Sequence, residues 1–197
     1  MITAIQILVQ EHRVIESMLL CLERLAEQAE RDGKLDNERS GTIIDFLREF
    51  ADACHHGKEE DVLFKFSDTR TVGHGPVEVL RDEHTEGRGY VSVMAKNRLK
   101  AVSGNPGAIR SFCESARDLT NMLRRHIQRE DEVVFPMIEE QCQSSDADQL
   151  WQEFVTVEKI AGGDRHKKFV ESARSCCRHF NVPFHEDHIT QLIVNFG

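Results

Sequence analysis

Two stretches decide how the chain folds: HHGKEEDVLFK at 55–65 and HIQREDEVVFP at 126–136. Aligned without a gap, His55 falls on His126, Lys58 on Arg129, Glu59 on Glu130, Val62 on Val133 and Phe64 on Phe135, and the acidic pairs Glu60-Asp61 and Asp131-Glu132 coincide. The echo extends upstream. Glu11-His12 precedes the first stretch and Glu83-His84 the second, with 43 positions from His12 to His55 and 42 from His84 to His126. The chain therefore reads as a tandem of two helical hairpins, each of the form His … His-x-x-x-Glu.

Residues four apart on a helix share a face, about 5–6 Å from one another. His-x-x-x-Glu thus aims an imidazole and a carboxylate at one point. Two such pairs and two further histidines can surround two adjacent metal ions. A lone histidine on an apolar stripe is more often a satisfied core residue, but here four of them recur with two carboxylates. Such a buried set has to be paired or metal-bound to be tolerated. The expected metal ligands are His12, His55, Glu59, His84, His126 and Glu130. No residue is expected to act as a catalytic group.

The hydrophobic pattern supplies the scaffold. Ile5, Leu8, Ile15, Leu19 and Leu22 recur at three and four around His12 and predict a helix over 3–30, stopped at Gly33. A second helix is expected from after Asp36 to about 66. Its ladder Leu47, Ala51, His55, Glu59, Leu63 turns the ligand pair inward, while His56, one residue off that ladder, is expected to point elsewhere. Pro76 suits the first position of a third helix carrying Val77, Leu80, His84, Gly87, Val91 and Met94 to about 102. After Asn105-Pro106, a fourth helix carries Phe112, Leu119, Met122, Leu123, His126, Glu130 and Val133, and Pro136 is expected to kink or end it. Short loops joining four such helices imply an all-α, up-down-up-down four-helix bundle over 1–142. A C-terminal helical extension over 143–197, with helices near 146–160 and 164–179 around Gly162-Gly163, is expected to pack on it.

Composition narrows the partners. A net charge of −9 with no basic stripe argues against nucleic acid. Residues 2–9 are too short and mixed for a signal sequence or a membrane span. The six cysteines lack a Cys-x-x-Cys spacing, which makes a reducing cytoplasm the expected setting. The acidic, histidine-bearing run 184–188 is expected to be a solvated turn.

With Glu11-His12, His55-x-x-x-Glu59 with Leu63-Phe64, Gly75-Pro76, Glu83-His84 and His126-x-x-x-Glu130 with Phe135-Pro136 in view, the chain resembles the hemerythrin-like (HHE) domain family over about residues 8–140. That resemblance implies a bundle holding two iron ions as an oxo- or hydroxo-bridged non-haem centre. His12, His55, His84 and His126 would be terminal ligands, and Glu59 and Glu130 would bridge the irons. The ferritin-like alternative requires a repeated Glu-x-x-His, which this chain lacks.

One departure from the family's oxygen carriers matters. They place a fifth histidine four residues after the third-helix histidine and use His-x-x-x-x-Asp on the fourth helix, where this chain has Arg88 and Glu130. Four histidines, two bridging carboxylates and one bridging oxygen leave about two coordination positions open on an octahedral pair. The resemblance thus leans toward stress-response and sensing members that bind or reduce O₂, NO or hydrogen peroxide, and away from reversible oxygen transport. An iron-handling protein that senses, stores or donates labile iron without turnover is the alternative. Expected partners are a small diatomic ligand or peroxide, with a protein partner or homodimer through the extension.

Overall fold

A computed structural model of the chain describes residues 3–70, 74–161 and 165–185. Among them are six helical runs and no strand: α1 (Ala4–Asp32), α2 (37–69), α3 (His74–Val102), α4 (106–139), α5 (Ser144–Ala161) and α6 (Arg165–Phe180). Local chemistry fixes the ends. Thr3 accepts from the Gln6 backbone N–H while Gln6 reaches back to the Thr3 N–H, closing a capping box, and Asp36 and Asn105 cap α2 and α4 in the same sense. Gly33 terminates α1 at φ +67°, a conformation that costs glycine little.

Three of the sequence's boundaries shift. α3 begins at His74, which makes Pro76 its third residue; that is still within the first turn, whose N–H groups have no helical partner. The loop expected over 67–76 shrinks because α2 runs to Thr69. Gly73 and Gly162-Gly163 lie outside the described residues, as do Glu186-Asp187-His188. Pro136 does not end α4, which continues to Glu139.

The reason for the last point is local. The run Glu130–Val134 closes i→i+5 rather than i→i+4 hydrogen bonds, so the missing proline N–H falls where the register is already changing. The same wide geometry occupies Leu47–His56 and Glu59–Leu63 in α2. Each bridging-glutamate candidate therefore opens an i→i+5 segment, and the sequence repeat is also a repeat of backbone geometry. The extra residue moves Val133 out to solvent at 45 % exposure, and Val134 is buried in its place.

Two apolar clusters form the core. One gathers Ala4, Ile5, Leu8, Leu63, Phe64, Leu80, Phe135 and Ile138, with Leu150 and Phe154 of α5. The other gathers Met18, Leu22, Phe46, Phe50, Met94, Phe112 and Leu123, with Val170, Ala173, Cys176 and Cys177 of α6. On each of α1–α4 the predicted ligands fall between residues of the first cluster and residues of the second. The polar site is thus a layer across the bundle with an apolar plug on either side. Both C-terminal helices contribute to these plugs, so the extension shares the core. No described helix is long and apolar enough to cross a membrane.

Candidate metal centre

All six predicted ligands meet in that layer and all are buried. Two donor groups form. His12, His55, Glu59 and Glu130 converge in one, and His56, Glu59, His84 and His126 in the other. Glu59 belongs to both: its Oε1 stands 3.2 Å from His55 Nε2 and 3.9 Å from His12 Nε2, and its Oε2 stands 3.4 Å from His84 Nε2. Glu130 Oε2 likewise lies between His12 Nε2 at 3.2 Å and His126 Nε2 at 3.3 Å. Both carboxylates therefore span the two histidine sets.

The far side of each ring explains why the Nε2 atoms face one another. His12 Nδ1 donates to Asp131 at 2.7 Å, His55 Nδ1 to Glu11 at 2.9 Å, His84 Nδ1 to Glu60 at 2.7 Å and His126 Nδ1 to Glu83 at 2.9 Å. With Nδ1 bonded outward, Nε2 is the nitrogen that each ring turns inward. Every one of these carboxylates is in turn held by a cation: Asp131 by Arg13, Glu11 by Lys58, Glu60 by Arg88 and Glu83 by Arg129. The Glu-His dipeptides thus serve across their own hairpin (Glu11 to His55, Glu83 to His126) and not the adjacent histidine. The acid after each bridging glutamate serves the opposite hairpin, as do Phe64, stacked on His84, and Phe135, stacked on His12.

His56 is the residue the sequence misplaced. Its ring is buried and stacks on His84 with centroids 3.8 Å apart. An α-helix turns about 100° per residue, enough to swing His56 off the ladder. The wider turn of Leu47–His56 rotates less per residue, so consecutive histidines both face inward. The only signal in the sequence was the His-His dipeptide itself. Arg88, at the oxygen carriers' fifth-histidine position, instead binds Asp52 and Glu60 and is partly exposed. Tyr90 lies off the site, its phenol donating to Glu86 at 2.5 Å.

The layer fits a cation. His12 Nε2 and all four oxygens of Glu59 and Glu130 are buried with no hydrogen-bond partner, an arrangement that is costly unless something else satisfies them. The 3.1–3.4 Å spacings between neighbouring donors match the edges of a coordination shell with bonds of about 2.0–2.2 Å. The carboxylates also make the site hungry for positive charge. Burial pushes the His55 and His126 pKa values down, yet Glu59 and Glu11 for the first, and Glu130 and Glu83 for the second, outweigh it and raise both to about 10. His56 is the exception: burial and the neighbouring His84 push it well below its ordinary value, leaving a neutral ring able to donate a lone pair.

An apolar cavity of about 130 Å³ reaches this layer from the side. It is lined by Leu47, Ala51, Gly87, Val91, Leu119 and Leu123, with His56, Asp52 and Arg88 among its polar members. Gly87 lines it without a side chain, and a Cβ there would come within 3.1 Å of Met122 Cε and 3.6 Å of Leu119 Cδ1.

The fold and the layer define an all-α bundle protein with a buried nitrogen- and oxygen-donor cation site. The chain belongs to the hemerythrin HHE cation binding domain family, whose profile matches residues 3–138. Searches of curated proteins and of solved structures returned no match.

Proposed function

We propose that the protein holds two iron ions bridged by Glu59 and Glu130 and uses them to bind or reduce a small oxidant: O₂, NO or hydrogen peroxide. The observation that carries this reading is the set of partnerless buried carboxylate oxygens encircled by inward-facing histidine nitrogens beside an apolar cavity. His12 and His55 would serve one ion, and His56, His84 and His126 the other. Iron supplies the one-electron and O₂ chemistry that none of these side chains has.

With His56 counted, five histidines, two bridging carboxylates and a bridging oxygen would leave about one coordination position open, on the His12–His55 side. The pattern becomes three histidines against two, with His56 in place of the histidine that Arg88 displaces. Each remaining residue has a physical task. Asp131, Glu11, Glu60 and Glu83 fix tautomer and ring angle, while Phe64 and Phe135 exclude water from the ring faces. The cavity at Gly87 offers a small molecule a largely apolar approach to the layer. The six cysteines, all unbridged, suit a reducing cytoplasm.

Metal analysis and absorption spectroscopy test this on full-length protein exposed separately to O₂, NO and peroxide. Two irons per chain, with bands that form and decay under one oxidant, are expected. A stable adduct reversed by removing the gas would mean binding without reduction. Release of iron without any adduct would favour the iron-handling alternative, and a protein that takes up no iron would overturn the proposal.

A further inference from the structure

A second polar cluster lies beside the centre, built from Glu11, Cys54, Lys58, Glu158 and His166 on α1, α2, α5 and α6, all of them buried. Lys58 is fully buried, which is rare for a lysine without partners. Its ammonium donates to Glu11 and Glu158 and lies 3.5 Å from Cys54 Sγ. Cys54 donates to Glu158 at 3.0 Å. His166 Nδ1 stands 3.5 Å from both Glu11 Oε1 and Glu158 Oε1. Without Lys58, the glutamates, thiol and imidazole would resemble a cation site, but the ammonium already fills the space between the carboxylates. The cluster is an ionic network in which His166 Nδ1 stands at ion-pair distance without a hydrogen bond, and its outer edge is Glu11 Oε2, the acceptor of His55 Nδ1–H.

The repeat provides the comparison. At the matching place in the second hairpin, Arg129 binds Glu83, which holds His126, and the guanidinium is one-third exposed. Nothing from the C-terminal helices joins that pair among the interactions of the described residues. The two sides of the centre therefore differ in one respect the repeat does not encode. The carboxylate behind His55 is locked by α5 and α6, beyond the stretch that matches the family.

We propose that Glu158 and His166 are positioning residues: through Lys58 and Glu11 they hold the His55 ring, so that retention of the ion on the His12–His55 side is set by the C-terminal helices. The proposal rests on reading His55 as a ligand. Sharing one ammonium between two carboxylates leaves Glu11 enough negative charge to accept strongly from Nδ1–H, which keeps Nε2 basic and aimed inward. If Glu158 loses its charge, Lys58 pairs with Glu11 alone, draws its carboxylate away and loosens the ring.

The test is chelator-driven iron release from full-length, iron-loaded protein, with iron stoichiometry and the Tm of the metal-free form measured alongside. Glu158→Gln, and His166→Gln as a second variant should the first not fold, are expected to speed release of one iron per chain by about tenfold or more, leaving the other at the wild-type rate. Glu83→Gln is expected to speed release of the other iron. Wild-type release of both irons from the Glu158 and His166 variants, while His55→Ala binds only one, would overturn the coupling and leave the ligand reading standing. Retention of both irons by His55→Ala would overturn both. Equal acceleration of both irons together with a lowered metal-free Tm would reduce the network to general packing and overturn the positioning role.

Discussion

His56→Ala separates a straight helical reading of α2 from the folded geometry. On a regular α-helix His56 would turn away from the ladder and its removal would leave metal binding untouched. In the fold it is one of four donors in the group with Glu59, His84 and His126. Loss of a partner that merely orients a ligand histidine costs about 10–100-fold in metal affinity. Loss of a donor itself should reach at least the upper figure, about 100-fold or about 2.7 kcal/mol. The group of His12, His55, Glu59 and Glu130 does not contain His56 and should keep its ion. The expected isotherm therefore splits, with one ion bound as in the wild type and the second needing about 100-fold more free metal. The fold should tolerate the change, because the ring borders an existing cavity and its removal enlarges that opening instead of creating a sealed void. A cost of about 1–2 kcal/mol corresponds to roughly 2–8 °C in the Tm of metal-free protein. Anaerobic titration with ferrous ion against a competing chelator, with calorimetry of the metal-free form, measures both quantities. Two ions bound with wild-type affinity would refute the assignment of His56 and the helical geometry on which it rests.

Other perturbations act on neighbouring parts of the site. Glu59→Ala removes the carboxylate common to both donor groups and should abolish binding of both ions, whereas Glu130→Ala should weaken the His12–His55 side more; metal content per chain distinguishes them. Gly87→Leu should fill the cavity and slow oxidant-dependent spectral change by about tenfold or more with iron content unchanged, as read by stopped-flow absorption, because Gly87 lines the cavity without a side chain of its own. Arg88→His should not add a ligand, since His56 already stacks on His84; it should weaken binding on that side by freeing Glu60, which chelator competition would report. Tyr90 is the sole tyrosine, and its hydrogen bond to Glu86 raises its pKa to about 12. Ultraviolet titration should therefore find the phenol protonated through pH 10, with Glu86→Ala returning it toward about 10.

The sequence by itself determined the bundle and the six residues that meet in its polar layer. A repeated His-x-x-x-Glu needs only the helical period to share a face, and the apolar ladder around Leu47, Ala51 and Leu63 needs only the same period to turn that face inward. Glycine and capping signals such as Gly33 and Asn105 act within a few residues and were equally legible. What the tertiary structure decided depends on backbone register and on distance in the chain. The i→i+5 turns over Leu47–His56 and Glu130–Val134 bring His56 in and put Val133 out, and no periodicity of side chains announces them. The pairing of Glu11 with His55, of Asp131 with His12, and of Lys58 with Glu158 joins residues 44 to 119 positions apart. Such contacts exist only once the helices have chosen their neighbours. Local spacing can name the donors of a site, but how each is oriented, and which of its two sides the C-terminal helices hold, is settled by packing.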